Sequence, residues 1–441
     1  MDGRAPVTTP RPGRAAFAAL VGTTIEWYDF YVYATAASLV FAKLFFPAGT
    51  SHAVALMASF ATFSVGFLAR PLGGVVFGHF GDRIGRKSAL VVTLLMMGVA
   101  TLLVGLLPTY QTIGVAAPAL LVLLRFVQGL AVGGEWGGAA LIAVEHAPEK
   151  RKSFYGSFAQ LGNSVGALLA SGMFGLMSGF GPAALQDWGW RVPFLASAVL
   201  IIVGLVVRLK VEESPVLANA LAAADRERKT AELPVREVFR TDWRSVLLGI
   251  GALPVAIGGY YVLTTFITAY ATSDDVGMTE TAILSALSFA AFVEIIATII
   301  VSWLGDKVGA RRIVIGGLIA VAVLATPQFL LMAPNSEGVI FAMIVIMRSG
   351  LSGTYGPLPV ILSQMFTPRV RYTGISLSYQ IAGAIFGGFA PIVCTALLSA
   401  MGNIWGVIGL LIAMCLLGIY CTVRAPRVGD TEISPAPASA A

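Results

Sequence analysis

Long, uninterrupted apolar runs constrain this chain more than any other feature of its sequence. Residues 190–209, 312–333 and 403–423 are examples, and each matches the roughly 20 residues that a helix needs to cross a bilayer. A backbone in lipid must satisfy its own hydrogen bonds, so such runs are expected to be helices, and they lack the alternation of a β-barrel. Only 12% of the residues are charged, against about 25% in soluble domains.

Twelve runs of this kind predict an all-α integral membrane protein with twelve transmembrane helices. The predicted spans lie near residues 17–44, 53–80, 88–107, 117–145, 153–178, 190–208, 245–271, 282–304, 312–333, 338–366, 373–399 and 403–423. The glycines and prolines within 353–359 are expected to interrupt span 10, which suggests irregular backbone beside a solute pathway. The three cysteines all fall within late spans, so we expect neither a disulfide framework nor a metal site.

The positive charges lie almost entirely on one side of the predicted spans. With the N-terminus placed in the cytoplasm, the lysines and arginines fall in inner segments, apart from Lys43, Arg191 and three arginines within spans. This distribution follows the positive-inside rule. We therefore expect both termini in the cytoplasm and the acidic loop 274–280 outside. The net charge of +6 then orients the protein, and we expect no nucleic-acid partner.

The longest polar stretch divides the spans six and six. The predicted organisation is a cytoplasmic N-terminal tail at 1–16, a six-helix bundle at 17–209, a cytoplasmic linker at 210–244, a second six-helix bundle at 245–424 and a cytoplasmic tail at 425–441. The last segment is rich in Pro, Ala and Ser, a composition typical of disorder.

The two halves repeat one another. The loop 81–87, Gly-Asp-Arg-Ile-Gly-Arg-Lys, has a counterpart at 305–312, Gly-Asp-Lys-Val-Gly-Ala-Arg-Arg. Arg125 in span 4 likewise corresponds to Arg348 in span 10. Parallel six-helix repeats are typical of one transporter architecture, in which the substrate site lies near midplane between the halves.

Several strings carry a family resemblance that covers nearly the whole chain. Residues 78–87, Gly-His-Phe-Gly-Asp-Arg-Ile-Gly-Arg-Lys, resemble the loop signature of the major facilitator superfamily. Four others resemble its metabolite:proton symporters, which include shikimate, α-ketoglutarate and proline/betaine permeases. They are Glu-Trp-Tyr-Asp-Phe at 26–30, Arg-Pro-Leu-Gly-Gly at 70–74, Gln128-Gly129 through Gly133-Gly134-Glu135, and Trp-Gly-Trp-Arg-Val-Pro-Phe at 188–194. The N-terminal half is most similar to the shikimate-permease type.

The resemblance implies two pseudo-symmetric six-helix bundles that work by alternating access. It also implies a multi-pass protein of a bacterial-type cytoplasmic membrane, a monomer, and no cofactor, with the proton gradient as energy source. The partners implied are a small-molecule substrate, protons and the lipid bilayer.

Two carboxylates of span 1 are candidates for the proton site. Glu26 and Asp29 are one helical turn apart and therefore on one face, close to midplane by their distance from the start of the span. Two acids in a site shielded from water favour a state in which one is protonated. The alternative is a buried pair that arginine neutralises to hold span 1 in place. Glu135 in span 4 is a further candidate, either for protonation or for a structural ion pair.

Arg70 is the first candidate for an anionic substrate. It lies twelve residues before Asp82, about 18 Å into span 2, and its planar fork fits a carboxylate. A permanent ion pair with an acidic neighbour is the competing interpretation. Arg125 matches the superfamily's span-4 arginine. Glu294 is the residue of the second half that occupies the position equivalent to Arg70. The remaining substrate-binding candidates are Tyr33, Gln160, Tyr261, Arg348, Tyr355 and Gln380.

The two loop copies predict gating contacts at the inner face. Asp82 and Arg83 can form charge pairs across neighbouring helix ends, and Gly85 permits a tight turn. The second copy has Ala310 in place of an arginine. The full set of gating candidates is Gly78, Asp82, Arg83, Gly85, Arg86, Asp306 and Arg311.

The leading hypothesis is a symporter that imports a small organic acid, shikimate-like or dicarboxylate-like, together with protons. A symporter of zwitterionic osmolytes such as proline or betaine is the alternative, and a proton-driven exporter is a third. An enzyme is not expected, because the sequence has no His/Cys cluster that could form a catalytic or metal site. A channel is disfavoured by the two-half repeat and by the absence of a filter-like sequence.

Overall fold

A computed structural model describes residues 12–84, 86–133, 143–144, 147–210, 238, 240, 242–334, 336–367 and 371–428. Within these ranges the chain is helical, with short connecting turns, and each of the twelve predicted spans contains helix. Residues 134–142 of predicted span 4 lie outside the described residues. The expected all-α architecture with two six-helix bundles is confirmed.

The first half contains six spans. They are α1 at 12–44, α2 at His52–Ile84, α3 at Arg86–Leu106, α4 at Ala116–Val132, α5 at Lys152–Ser178 and α6 at Arg191–Lys210. The helix Pro12–Ala36 of α1 begins before the predicted start at 17 and continues through a π-helical turn, Ala37–Phe41.

The second half contains the other six. They are α7 at Trp243–Ala271, α8 at Glu280–Val308, α9 at Ala310–Leu330, α10 at Glu337–Gln364, α11 at 371–401 and α12 at Trp405–Arg424. In the part of the chain that is described, eight helices are long and apolar enough to span a membrane, or nine if the bent pair Pro182–Gly189 and Arg191–Val206 counts as one.

Three spans of the second half depart from regular α-helix. α7 contains the π turns Val255–Gly259 and Val262–Phe266, and α11 contains Gly383–Gly387. α10 stops at Tyr355 and resumes at Leu358, so the predicted interruption falls at Gly356 and Pro357. Such irregular turns leave backbone carbonyls outside the i to i−4 ladder, and they are frequent at functional sites.

Close contacts between helices depend on glycine. A Cβ atom added to Gly133, just after α4, would lie 2.2 Å from the backbone oxygen of Arg70 on α2. A Cβ at Gly162 on α5 would lie 1.9 Å from Thr23 Oγ1 on α1. The absence of a side chain thus lets these helices approach to backbone contact, which brings the polar residues of α1, α2 and α4 together.

Most of the predicted linker 210–244 and parts of both predicted tails fall outside the described residues, so these boundaries stay predictions. Of the C-terminal tail, 425–428 is described. The Val428 N–H donates to the Gln364 carbonyl at the end of α10, at 3.0 Å. The first residues of that tail therefore contact the second half.

Candidate functional site

Two buried arginines of the first half lie over the ring of Phe30, and two buried acids are connected to them. We call Glu26, Asp29, Arg70 and Arg125 the arginine cluster. The Cζ atoms of Arg70 and Arg125 each lie 4.1 Å from the Phe30 ring centroid. Arg70 Nη2 lies 3.8 Å from Glu26 Oε1. All four residues are at most 2% exposed, so the structure brings together the candidate proton pair and two of the candidate arginines.

Asp29 is connected to Arg125 through two neutral side chains. The Thr101 hydroxyl donates to Asp29 Oδ2 at 2.9 Å, and Gln128 Nε2 donates to Thr101 Oγ1 at 2.7 Å. Arg125 Nη1 donates to Gln128 Oε1 at 3.2 Å. Thr101 was not a sequence candidate, and Gln128 appeared only within a family string. Their positions depend on which faces of α3 and α4 meet α1.

Aromatic rings surround both guanidinium groups of the arginine cluster. Arg70 also lies over Phe67 at 4.6 Å, and Arg125 lies over Tyr33 at 4.4 Å. These cation–π contacts stabilise positive charge away from water. Nε and Nη2 of both arginines have no hydrogen-bond partner among the described residues, so each guanidinium keeps donors for a further acceptor.

The corresponding arginine of the second half has different partners. Arg348 Nε donates to Glu294 Oε2 at 2.7 Å, and Arg348 Nη2 also donates to that carboxylate. The Tyr260 hydroxyl donates to the same oxygen at 3.3 Å. Arg348 and Glu294 are each 1% exposed. Arg348, expected to bind substrate, is thus bound to an internal carboxylate in this structure.

Tyrosines of the second half face the arginine cluster. The ring centroid of Tyr261 lies 5.1 Å from Phe63 and 5.4 Å from Phe67. The Tyr261 hydroxyl is buried without a hydrogen-bond partner in the described ranges. The hydroxyls of Tyr355 and Tyr379 are 3.2 Å apart. Tyr379 was missed from sequence because nothing marked which face of α11 points inward.

The remaining polar candidates make defined contacts. The Tyr33 hydroxyl donates to Thr62 Oγ1 at 2.7 Å, so its ring rather than its hydroxyl contacts the cluster. Gln160 Nε2 donates to the Tyr355 carbonyl at 3.1 Å, and Gln380 Nε2 donates to the Gly133 carbonyl at 2.9 Å. Both glutamines therefore connect the two halves.

The face that carries the loops 81–87 and 305–312 is called the motif face here. Asp306 accepts the backbone N–H groups of Ser153 at 2.8 Å and of Phe154 at 3.0 Å. These belong to the first turn of α5, whose N–H groups lack intrahelical partners and favour an anion. A residue of the second half thus caps a helix of the first.

Arg311 makes a different contact from the one expected of a charge latch. Its guanidinium donates to the carbonyls of Ala425 and Pro426, the latter at 3.1 Å. For Gly78, Asp82, Arg83 and Arg86 the structure describes the helix backbone but not the side chains, and Gly85 and Glu135 lie outside the described residues. Their predicted roles stay predictions.

The halves also contact each other at the opposite face. Ser171 and Ser288 share a hydrogen bond at 3.0 Å between α5 and α8, and the hydroxyls of Ser178 and Thr281 are 3.1 Å apart. The cavity between the halves has a volume of about 20 Å³ and borders Arg348, which is room for about one water molecule. Among the described residues, the halves therefore contact each other at both faces.

Comparisons with known proteins agree with this architecture. The family model described as Major Facilitator Superfamily matches residues 19–391 and 255–439. The chain is 40% identical to the inner membrane metabolite transport protein YhjE of Escherichia coli (strain K12) over 402 residues, 90% of each chain. It is 39% identical to the shikimate transporter of the same strain, over 92% of this chain and 93% of the relative.

A proline/betaine transporter of that strain is 33% identical, over 96% of this chain and 85% of the relative. Among solved structures, a D-xylose-proton symporter superposes with a TM-score of 0.70 at 18% identity, covering 95% of this chain and 98% of that one.

Proposed function

The chain belongs to the major facilitator superfamily, and from that premise we propose that it imports a small organic acid together with protons by alternating access. That it is a transporter of the membrane and not an enzyme follows from its relatives and fold. The solute, the proton coupling and the orientation are the parts that we propose here.

The observation that carries the proposal is the pair of arginines with unused donors. Arg70 and Arg125 are buried, and Nε and Nη2 of each lack a hydrogen-bond partner among the described residues. A buried guanidinium whose N–H groups lack partners favours an acceptor such as a carboxylate, which it can bind through two parallel hydrogen bonds. An anionic substrate supplies that acceptor.

The aromatic rings distinguish this proposal from a betaine symporter. A quaternary ammonium group binds to open aromatic faces. The rings of Phe30 and Phe67 are in contact with the protein's own guanidinium groups, at 4.1 and 4.6 Å from Arg70. A second cation at these rings would meet an existing positive charge, so the site favours an organic acid.

Glu26 and Asp29 are the proposed proton carriers. The contact between Glu26 and Arg70 at 3.8 Å exceeds the length of a charge-assisted hydrogen bond, about 2.7–2.9 Å. A substrate carboxylate can therefore compete with Glu26 for Arg70, and protonation of the acid pair shifts that competition toward the substrate. Proton and organic anion then move together.

Uptake of a labelled panel tests the proposal, using organic acids and betaines in cells with and without a protonophore. We expect accumulation of a carboxylic acid that the protonophore abolishes. Accumulation of a betaine but of none of the acids would contradict the substrate class, and accumulation unaffected by the protonophore would contradict proton coupling.

We also propose that the motif face is cytoplasmic, because the positive residues concentrate there. A cysteine at position 228 in the predicted linker is expected to resist a membrane-impermeant reagent added to intact cells and to react after permeabilisation. A cysteine at position 274 is the control and is expected to react in intact cells. The reverse pattern would contradict this orientation.

A further inference from the structure

Gln160 and Gln380 occupy equivalent positions in the two halves. They are separated by 220 residues, the same separation that relates Pro148 to Pro368. Gln160 on α5 donates to the Tyr355 carbonyl, and Gln380 on α11 donates to the Gly133 carbonyl. Each amide therefore crosses from its own half to a backbone oxygen of the other.

Both acceptor carbonyls lie at or next to the end of a helical segment that the structure describes. Tyr355 is the last residue of the first segment of α10, and Gly133 follows the last residue of α4. The Tyr355 carbonyl has no intrahelical donor, because the residue four positions later is Pro359, which has no N–H. That oxygen is therefore available to a side chain. The interruption of α10 thus provides one acceptor, and the Gly133 carbonyl accepts the corresponding hydrogen bond from Gln380.

The bridges lie between the motif face and the arginine cluster. Gln160 is eight residues into α5 and Gln380 is nine residues into α11, which places both about 12–14 Å from the helix ends at that face. Gly133 also packs against the backbone of Arg70, since an added Cβ would lie 2.2 Å from the Arg70 carbonyl. One bridge therefore ends directly behind the proposed substrate arginine.

We propose that Gln160 and Gln380 are positioning residues of the transport cycle, forming a symmetric pair of bridges that closes the arginine cluster toward the motif face. Both bridges have to break before solute can leave in that direction. An uncharged amide suits this task, because breaking its hydrogen bond leaves no buried charge unpaired. The inference rests on the proposed transport function but not on the identity of the solute.

Cysteine accessibility in the purified protein tests the bridges without any substrate. In a background lacking the three native cysteines, Ser153→Cys reports opening at the motif face and Ser178→Cys reports opening at the opposite face. Both positions are buried, at 3% and 5% exposure. Protein in nanodiscs exposes both faces to the reagent, so the readout is independent of membrane orientation.

Gln160→Leu and Gln380→Leu are each expected to raise labelling at position 153 about 5-fold. Each variant removes one hydrogen bond, and the loss of about 1 kcal/mol corresponds to a change of about 5-fold in the population of the open state. The double variant is expected to raise it about 20-fold, and labelling at position 178 is expected to fall. Gln328→Leu on α9 is the matched control, because that buried glutamine contacts Met332, just beyond the end of its own helix and in the same half. Gln328→Leu is expected to leave labelling at positions 153 and 178 unchanged.

Unchanged labelling at position 153 in both single variants would overturn the proposal. So would a rise at both reporters, which indicates general loosening, or the same response in Gln328→Leu. If the reporters respond as expected while no organic acid is transported, the bridges stand and the proposed function fails.

Discussion

Arg70 and Arg348 are both buried deep within the membrane spans, yet they have different partners. Arg348 donates from two nitrogens to Glu294, whereas the nearest Glu26 oxygen is 3.8 Å from Arg70. A buried charge pair with complete hydrogen bonds is costly to break. We therefore infer that the second half uses its arginine in an internal ion pair. In the first half, Nε and Nη2 of Arg70 and Arg125 have no hydrogen-bond partner among the described residues, as the proposed binding of an anion requires.

The largest expected effect is on stability, and it concerns the ion pair between Arg348 and Glu294. Arg348→Met should destabilise the protein by about 3–5 kcal/mol, because Glu294 is left buried without its partner. Thermal unfolding in detergent measures this loss. Adding Glu294→Gln to the same chain should recover most of the stability, since the unpaired charge is then removed. An Arg348→Met protein as stable as the original would show that the ion pair does not stabilise the protein.

Arg70→Lys should affect solute affinity more than stability. Lysine keeps the charge but loses the planar fork, so we expect the KM for the transported acid to rise about 10–100-fold, in line with about 1.5–3 kcal/mol for a hydrogen bond to a charged group. Arg312→Lys on the exposed start of α9 is the control and should leave KM unchanged. If Arg70→Lys transports with the original KM, Arg70 does not bind the solute through its fork.

The smallest expected effect concerns the cap at the motif face. Asp306→Asn removes the charge at the first turn of α5, an interaction of about 0.3–1 kcal/mol. The state in which the motif face is closed should become less stable. Labelling of the Ser178→Cys reporter at the opposite face should therefore fall about 2–5-fold. The control is Asp187→Asn, an exposed acid outside the contact. A rise in labelling would show that the cap does not hold the motif face closed.

Sequence predicted the spans well because a bilayer requires long apolar runs whatever their neighbours are. It also identified Glu26, Asp29, Arg70 and Arg125, since an ionisable residue in an apolar run stands out by itself. It did not identify Thr101 or Tyr379, because ordinary polar residues in a span become informative only once the facing helices are known. The pairing of Arg348 with Glu294 and the capping of α5 by Asp306 depend on helix packing in the same way.

The central claim is that the acids of the arginine cluster carry the proton that drives uptake. The direct measurement compares two assays in proteoliposomes for Glu26→Gln and Asp29→Asn, with the exposed Glu337→Gln as control. At least one of the two variants should lose accumulation of the acid under an imposed pH gradient while retaining exchange of labelled for unlabelled substrate. The control should retain both activities. If both variants still accumulate substrate, the proton site lies elsewhere, and loss of exchange together with accumulation in both would show a structural pair instead.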